Sequence, residues 1–370
     1  MNSYFWFATA MLAGTIMGAG IFSLPFVVSS VGVSVGYFYL ALFAGVYCAL
    51  HLMYAHILSD EHGKHDLPHV VEEYLGPIAG RVAPFTVLTE LLLVLTAYLA
   101  LSPSFFSILF GASHPLGVLF FWAVSSAFIF VSLRALGLAD IIGVAILMSV
   151  VAMVYLFSFG HAFLSEGVRT LSWGAYLLPF GPLLFAMSGR PAIFKVVEEW
   201  RASHAARKPF SLYTAVALGT LIPAAIYALF VFSVIALSGA PSSDALSGLV
   251  GVLPRIAFFA LGLMGIVAIW KSYFMIGTNI RDILQRDMSI SAIESAVIVL
   301  VAPLLIYTLG ARECLPLIGF VGGVFLALEG IFIVAIWRKK YARHPLRRVS
   351  AALFAVFALA ILYELVHILS

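Results

Sequence analysis

The chain has 370 residues, of which 63% are hydrophobic and only 10% charged, and its mean hydropathy is +1.10. Ordinary soluble domains carry about 25% charged residues, so a string of soluble domains is excluded and one polytopic membrane domain is expected. The formal net charge of +3 gives no support for nucleic-acid binding.

Apolar runs of about 20 residues bounded by charge, Gly or Pro give eleven expected spans, at roughly 5–30, 33–58, 82–110, 115–133, 141–161, 174–199, 210–238, 255–280, 289–309, 314–337 and 348–368. The first lacks a basic leader and is longer than a signal h-region, so it is expected to be retained. Its centre, Gly14 to Pro25, holds three glycines and a proline. Gly costs a helix interior roughly 1 kcal/mol and Pro about 3, so this stretch favours an unwound break. Backbone left open at that depth must line a protein cavity or bind something.

The loop from Ser59 to Gly80 mixes acids with His62, His65 and His69, with His56 at the helix end. The spacing of His65 and His69 permits a metal site; a solvated, partly helical loop is the simpler expectation. Cys48 and Cys314 form neither a disulfide framework nor a ligand pattern and are expected to be small packing residues. With the N-terminus inside, fifteen of the twenty Lys and Arg fall on inner loops and helix ends, and only Arg169, Arg255 and Arg312 fall outside. That asymmetry predicts a multi-pass protein of a cell (inner or plasma) membrane, N-terminus cytoplasmic and C-terminus outside. The run Arg338 to Arg348 reads as an anchor against anionic lipid.

The sixth expected span is interrupted as well, by Pro179-Phe180-Gly181-Pro182 and by Met187-Ser188-Gly189-Arg190-Pro191. The two breaks lie about 170 residues apart, each in the first helix of a five-helix block, and an odd block length inverts the second block. Residues 1–161 and 174–337 therefore form an expected 5+5 inverted repeat, with 348–368 as an extra C-terminal helix. Paired interruptions of this kind point to a transporter binding site at mid-membrane. Glycines that merely let helices pack closely are the competing explanation. A half-helix starting near Ile21 would offer N–H groups to a carboxylate, and open carbonyls at Gly18 to Gly20 and Met187 to Gly189 could face an ammonium. A zwitterionic amino acid carries both charges. The expected substrate-binding set is Thr15, Met17, Gly18, Ala19, Gly20, Ile21 and Phe22 with Phe185, Ala186, Met187, Ser188 and Gly189, and Phe22, Phe185 and Tyr273 are the expected cavity walls.

At Gly14–Pro25, at Phe185–Trp200 and in its eleven-span order, the chain resembles the amino acid/polyamine/organocation superfamily, which has the LeuT-type fold, and most nearly its hydroxy and aromatic amino acid permeases. The resemblance implies an all-α secondary transporter that moves an amino acid, aromatic or otherwise neutral, by alternating access, with no cofactor and no enzymatic activity. Spans 1, 2, 6 and 7 would rock against spans 3, 4, 8 and 9. Many relatives hold sodium with a Thr/Ser pair in span 8 and carbonyls of span 1; here the corresponding place reads Lys271-Ser272. The resemblance thus implies that the Lys271 ammonium replaces sodium, which leaves a proton or no ion as the coupling partner. A structural lysine paired with a buried carboxylate is the alternative.

Arg190 can meet a substrate carboxylate or a gate acid, or it can neutralise Glu90 or Glu329. Those two glutamates, each nine residues from an inner-side arginine, are candidate proton carriers or gates, or else salt-bridge partners within the bundle. Glu294 is expected to snorkel or pair at the inner surface, and His51 to be a hydrogen-bonded core residue. The rival functions are a transporter-like amino acid sensor, a carrier of organic amines and a channel. No metalloprotease motif or paired catalytic aspartate occurs in the spans.

Overall fold

In the computed structural model, residues 3–61, 67–111, 115–129, 136–159, 173–286, 288–344 and 347–369 are described. All regular elements among them are helical. The N-terminal segment is α1 (Ser3–Ile16), a 3-10 turn (Ala19–Phe22) and α2 (Leu24–Ser30). Next come α3 (Val33–Asp60), the short amphipathic α4 (Leu67–Leu75), α5 (Pro77–Phe110), α6 (Pro115–Phe128) and α7 (Leu136–Ser158). A second broken segment consists of α8 (Phe180–Met187) and α9 (Arg190–Ala205). It is followed by α10 (Leu212–Ser238), α11 (Arg255–Arg286) and α12 (Ala292–Thr308). The chain then forms α13 (Cys314–Phe320), which runs through a π turn (Val321–Leu326) into α14 (Ala327–Lys340), and ends in α15 (Arg347–Leu369). Among the described residues, seven helical stretches are long and apolar enough to cross a bilayer, one of them (174–205) interrupted between α8 and α9, with shorter apolar helices at 117–128, 143–158 and 292–308.

The Gly and Pro punctuation accounts for these boundaries. Pro25 and Pro191 occupy the first turns of α2 and α9, where a missing N–H costs nothing and the fixed φ suits a helix start. The first break is wider than the expectation of a half-helix at Ile21, because a 3-10 turn intervenes before α2. α5 begins five residues earlier than expected and keeps Pro84 and Pro103 inside it. His62 and His65 lie outside the described residues, so the metal reading of that loop gains no structural footing.

The broken segments cross at the centre of the bundle. α1 packs on α7, α9 and α10, α11 packs on α5, and α8 packs on the π turn. Glycine makes two of these crossings possible. A Cβ on Gly20 would stand 2.6 Å from the Ala186 Cα, and one on Gly322 would stand 1.9 Å from the Gly181 carbonyl oxygen. At the basic face, Lys340 pairs with Glu61, Tyr341 donates to Asp60, and Arg201 donates to the carbonyls of Leu58 and Glu61. These bonds tie the ends of α3, α9 and α14 together. Glu294, expected to snorkel or pair, closes a reciprocal capping box with Ser291 at the start of α12, which is worth about 1 kcal/mol.

Candidate functional site

The chemistry of the site starts with backbone groups the breaks release. α1 ends at Ile16, and the Gly18 N–H turns back to the Ile16 carbonyl at 2.8 Å instead of reaching Gly14, as a continuing helix would require. The Gly14 carbonyl is thereby freed for Lys271, whose Nζ donates to it at 3.1 Å from α11. A cation there also meets the negative end of the α1 dipole. The lysine stem reaches this point past Gly143 of α7, where a Cβ would lie 3.4 Å from its Cδ. Lys271 is 5% exposed, and its ammonium faces a carbonyl of the first broken segment.

A single hydroxyl bridges the two breaks. Tyr227 of α10, fully buried, donates to the Ile16 carbonyl at 2.6 Å and lies 3.2 Å from the Ala186 carbonyl. A Cβ on Gly18 would lie 3.4 Å from the Ser272 hydroxyl oxygen and 3.6 Å from that of Tyr98. Tyr98 and Tyr227 were not singled out from the sequence, since nothing local distinguishes a tyrosine that faces a break from the other aromatic residues of a span. Periodicity assigns a face to each residue but not the element it meets.

Gly14, Gly18, Tyr98, Lys271 and Ser272 line a cavity of about 270 Å³, with Tyr227 outside the lining. It runs from Gly18, Gly20 and Tyr98 past Glu90 and Arg190 to Asn279, Asp282 and Lys195, and Lys195 is exposed. The cavity therefore opens on the face that carries α4 and the end of α9. The opposite face is shut by Phe22, whose ring meets Phe105 at 4.9 Å and Phe230 at 6.0 Å, both edge to face. Ala245, Leu246 and Leu249 of the loop after α10 are fully buried.

Of the expected substrate-binding set, Thr15, Gly18, Ala19, Gly20, Phe185 and Ser188 line the cavity. Met17, Ile21, Ala186, Met187 and Gly189 are buried and do not line it. Phe22 and Tyr273 are corrections: neither lines the cavity. The 3-10 turn points Phe22 into the closed face, and Tyr273 is fully buried with its ring 5.6 Å from Phe121. Phe22 follows the first break along the chain and Tyr273 follows Ser272 of the lining, and both rings pack away from the cavity.

Arg190, Glu90 and Glu329 are brought together. Arg190 Nε donates to Glu329 Oε2 at 2.5 Å, and its Nη2 is 3.6 Å from Glu90 Oε2. The guanidinium is thus engaged by two acids from α5 and α14. This arrangement also explains an arginine at the first position of a helix, where the dipole alone disfavours a cation.

His51 acts on the second break. Thr220 uses its hydroxyl proton on the Val216 carbonyl at 2.9 Å, so its oxygen accepts from His51 Nδ1, also at 2.9 Å. Nε2 is then the acceptor for the Gly189 N–H at 3.2 Å, one of the open donors at the start of α9. The neutral imidazole thereby joins α3, α9 and α10, as the core-residue expectation held, with a specific task at the break. His51→Ala is expected to cost about 1–3 kcal/mol by leaving the Gly189 N–H buried and unsatisfied, and His51→Gln to recover part of it. Denaturation in detergent measures both, and an alanine variant as stable as the native protein would refute the assignment.

Residues 1–236 match the family described as "Transmembrane amino acid transporter protein". No curated protein matches the chain. Among solved structures the fold is similar to MhsT in complex with L-phenylalanine, at TM-score 0.68 and 14% identity over 98% of this chain and 97% of that one. It is also similar to inward-facing Mhp1, at TM-score 0.63 and 14% identity over 99% and 89% of the two chains. A third similar structure is an Eremococcus coleocola manganese transporter, with TM-score 0.63 and 14% identity over 98% and 86%. At these identities the likeness establishes the fold, a LeuT-type helical bundle.

Proposed function

The chain belongs to the transmembrane amino acid transporter protein family, and we propose that within it the chain carries a neutral amino acid across a cell membrane by alternating access, without sodium and with a proton as the coupling ion. That the protein is a multi-pass secondary transporter follows from its family and fold. The finer reading rests chiefly on one observation: two helix breaks meet at the closed end of a cavity lined by Gly18 and Gly20, the Tyr98 and Ser272 hydroxyls and the Phe185 ring. Backbone dipoles and hydroxyls suit the two charges of a zwitterion, and Phe185 suits an apolar side chain. The ligand of MhsT, L-phenylalanine, supports the same substrate class.

The absence of sodium from the cycle rests on Lys271, whose ammonium occupies the free carbonyl of α1. Orientation follows the distribution of Lys and Arg: the basic face is the cytoplasmic one, and the conformation described is open to the cytoplasm. The C-terminus then lies outside.

A thermal-shift screen of the purified protein against the twenty amino acids and simple amines, with and without sodium, tests this reading. A bound ligand stabilises by mass action, about 2.7 kcal/mol at a hundred times its dissociation constant. At least one neutral amino acid is expected to raise the melting temperature, equally in sodium and in choline. Lys271→Ala is expected to lose uptake in sodium-free proteoliposomes. Sodium-dependent uptake by the native protein would sink the lysine assignment, and a shift with amines alone would move the substrate class.

A further inference from the structure

Two buried carboxyl groups share one guanidinium here. Glu90, Arg190 and Glu329 are 5%, 9% and 2% exposed, and the one guanidinium holds both carboxyl groups, at 2.5 Å from Glu329 Oε2 and 3.6 Å from Glu90 Oε2. An ionised carboxylate offers only acceptors, and two ionised carboxylates buried on one cation repel each other. That repulsion is relieved when one of the two carries a proton. The atoms left over agree: Glu90 Oε2 and Glu329 Oε1 are buried without a hydrogen-bond partner among the described residues, and so is Arg190 Nη2.

Charge counting gives the same result. With Arg190 cationic, the trio carries −1 when both carboxylates are ionised and is neutral when one proton is bound. The other titratable groups that face it are the phenols of Tyr47 and Tyr54 on α3 and of Tyr98 on α5, with His51 on α3 held neutral by its two hydrogen bonds. None of these adds a second positive charge to the trio. Lys271 lines the same cavity from α11, where its ammonium is directed to the Gly14 carbonyl. Glu90 lines the cavity and Glu329 does not, so Glu90 is the water-facing member.

We propose that Glu90 and Glu329 together hold one exchangeable proton, loaded and released through the cavity at Glu90, and that this proton is the ion moved with each substrate molecule. This deepens the transport reading above and rests on it. In the step, an O–H bond forms on one carboxylate as a hydronium on the outer side gives up its proton. That bond breaks as water on the inner side accepts the proton, and nothing is oxidised or reduced. A zwitterionic substrate then crosses with one net positive charge, so the cycle is electrogenic.

Two readouts test this and separate it from the transport reading. Infrared spectroscopy of the purified protein near neutral pH is expected to show a protonated-carboxyl stretch that is missing from both Glu90→Gln and Glu329→Gln and kept in Glu294→Gln. In native proteoliposomes held at zero membrane potential, an inward gradient of one pH unit is expected to drive up to about tenfold accumulation of a mixture of the twenty radiolabelled amino acids, since one unit is worth 1.36 kcal/mol. Both Glu→Gln variants are expected to lose that accumulation, and any exchange they keep no longer responds to the gradient. The absence of the stretch in the native protein overturns the shared proton. Gradient-driven accumulation that survives in both variants overturns its role in coupling. Absence of any amino acid flux in the native protein, with the stretch present, overturns the transport reading and the coupling while the proton site stands.

Discussion

Replacement of Arg190 by methionine is expected to cost about 3–5 kcal/mol of folding stability, the range for a buried ion pair stripped of one partner. Methionine keeps much of the volume and apolar stem of arginine, so the loss reports charge rather than a cavity. What remains is two acids, 5% and 2% exposed, with no cation between them, and the Glu329 carboxyl loses the 2.5 Å bond that fixes it. Adding Glu329→Gln to Arg190→Met is expected to restore part of the loss, because a neutral amide no longer needs the guanidinium. The difference between the double variant and the sum of the singles is then the coupling energy of the pair, of order 0.5–3 kcal/mol for residues in one network. Denaturant titrations in detergent give all four values. Strict additivity would show that the contact carries no energy of its own.

The same three residues show how far the sequence could be read. Spacing from the helix-end arginines placed Glu90 and Glu329 at similar depth, and the Gly189-Arg190-Pro191 step placed Arg190 at a break. Helical periodicity says which residues share a face but not which faces meet, so the choice between a substrate carboxylate and two protein carboxylates stayed open until α5, α9 and α14 were brought together. Lys271 was more legible, because a lysine about 15 Å of helix rise from Arg281 is too deep to reach the surface easily and must find a partner inside. Phe22 was misread for a local reason: the break continues as a 3-10 turn, which rotates each residue by about 120°, so a neighbour of Gly20 in sequence points to the closed face. Tyr227 and His51 act on carbonyls and an N–H more than 40 residues away along the chain, contacts that carry no sequence mark.

A crossing of two backbones leads to the second large effect. A Cβ on Gly322 would stand 1.9 Å from the Gly181 carbonyl oxygen, and one on Gly181 would stand 2.3 Å from that of Gly319. Both obstacles are backbone atoms, which no rotamer change can move. Gly322→Ala must therefore push α8 away from the π turn, and it is expected to cost about 1–3 kcal/mol or more, as overpacking does in a filled core. Displacement of α8 carries Ala186 away from Gly20 and from the Tyr227 hydroxyl, the two contacts that hold the breaks together. Loss of ligand-induced stabilisation is therefore expected along with loss of stability. Gly45→Ala is the matched control: it lies mid-helix in α3 with nothing within 4 Å of its Cβ position, and the change is expected to be neutral or to gain up to about 1 kcal/mol of helix propensity. Melting temperatures of the two variants, each with and without the best ligand from the amino acid screen, decide the matter. If Gly322→Ala melts like the native protein and keeps its ligand shift, α8 and the π turn do not set the geometry of the site. If it alone loses both, the glycines of the second broken helix and of the π turn are part of the binding machinery, placed there so that two backbones can touch.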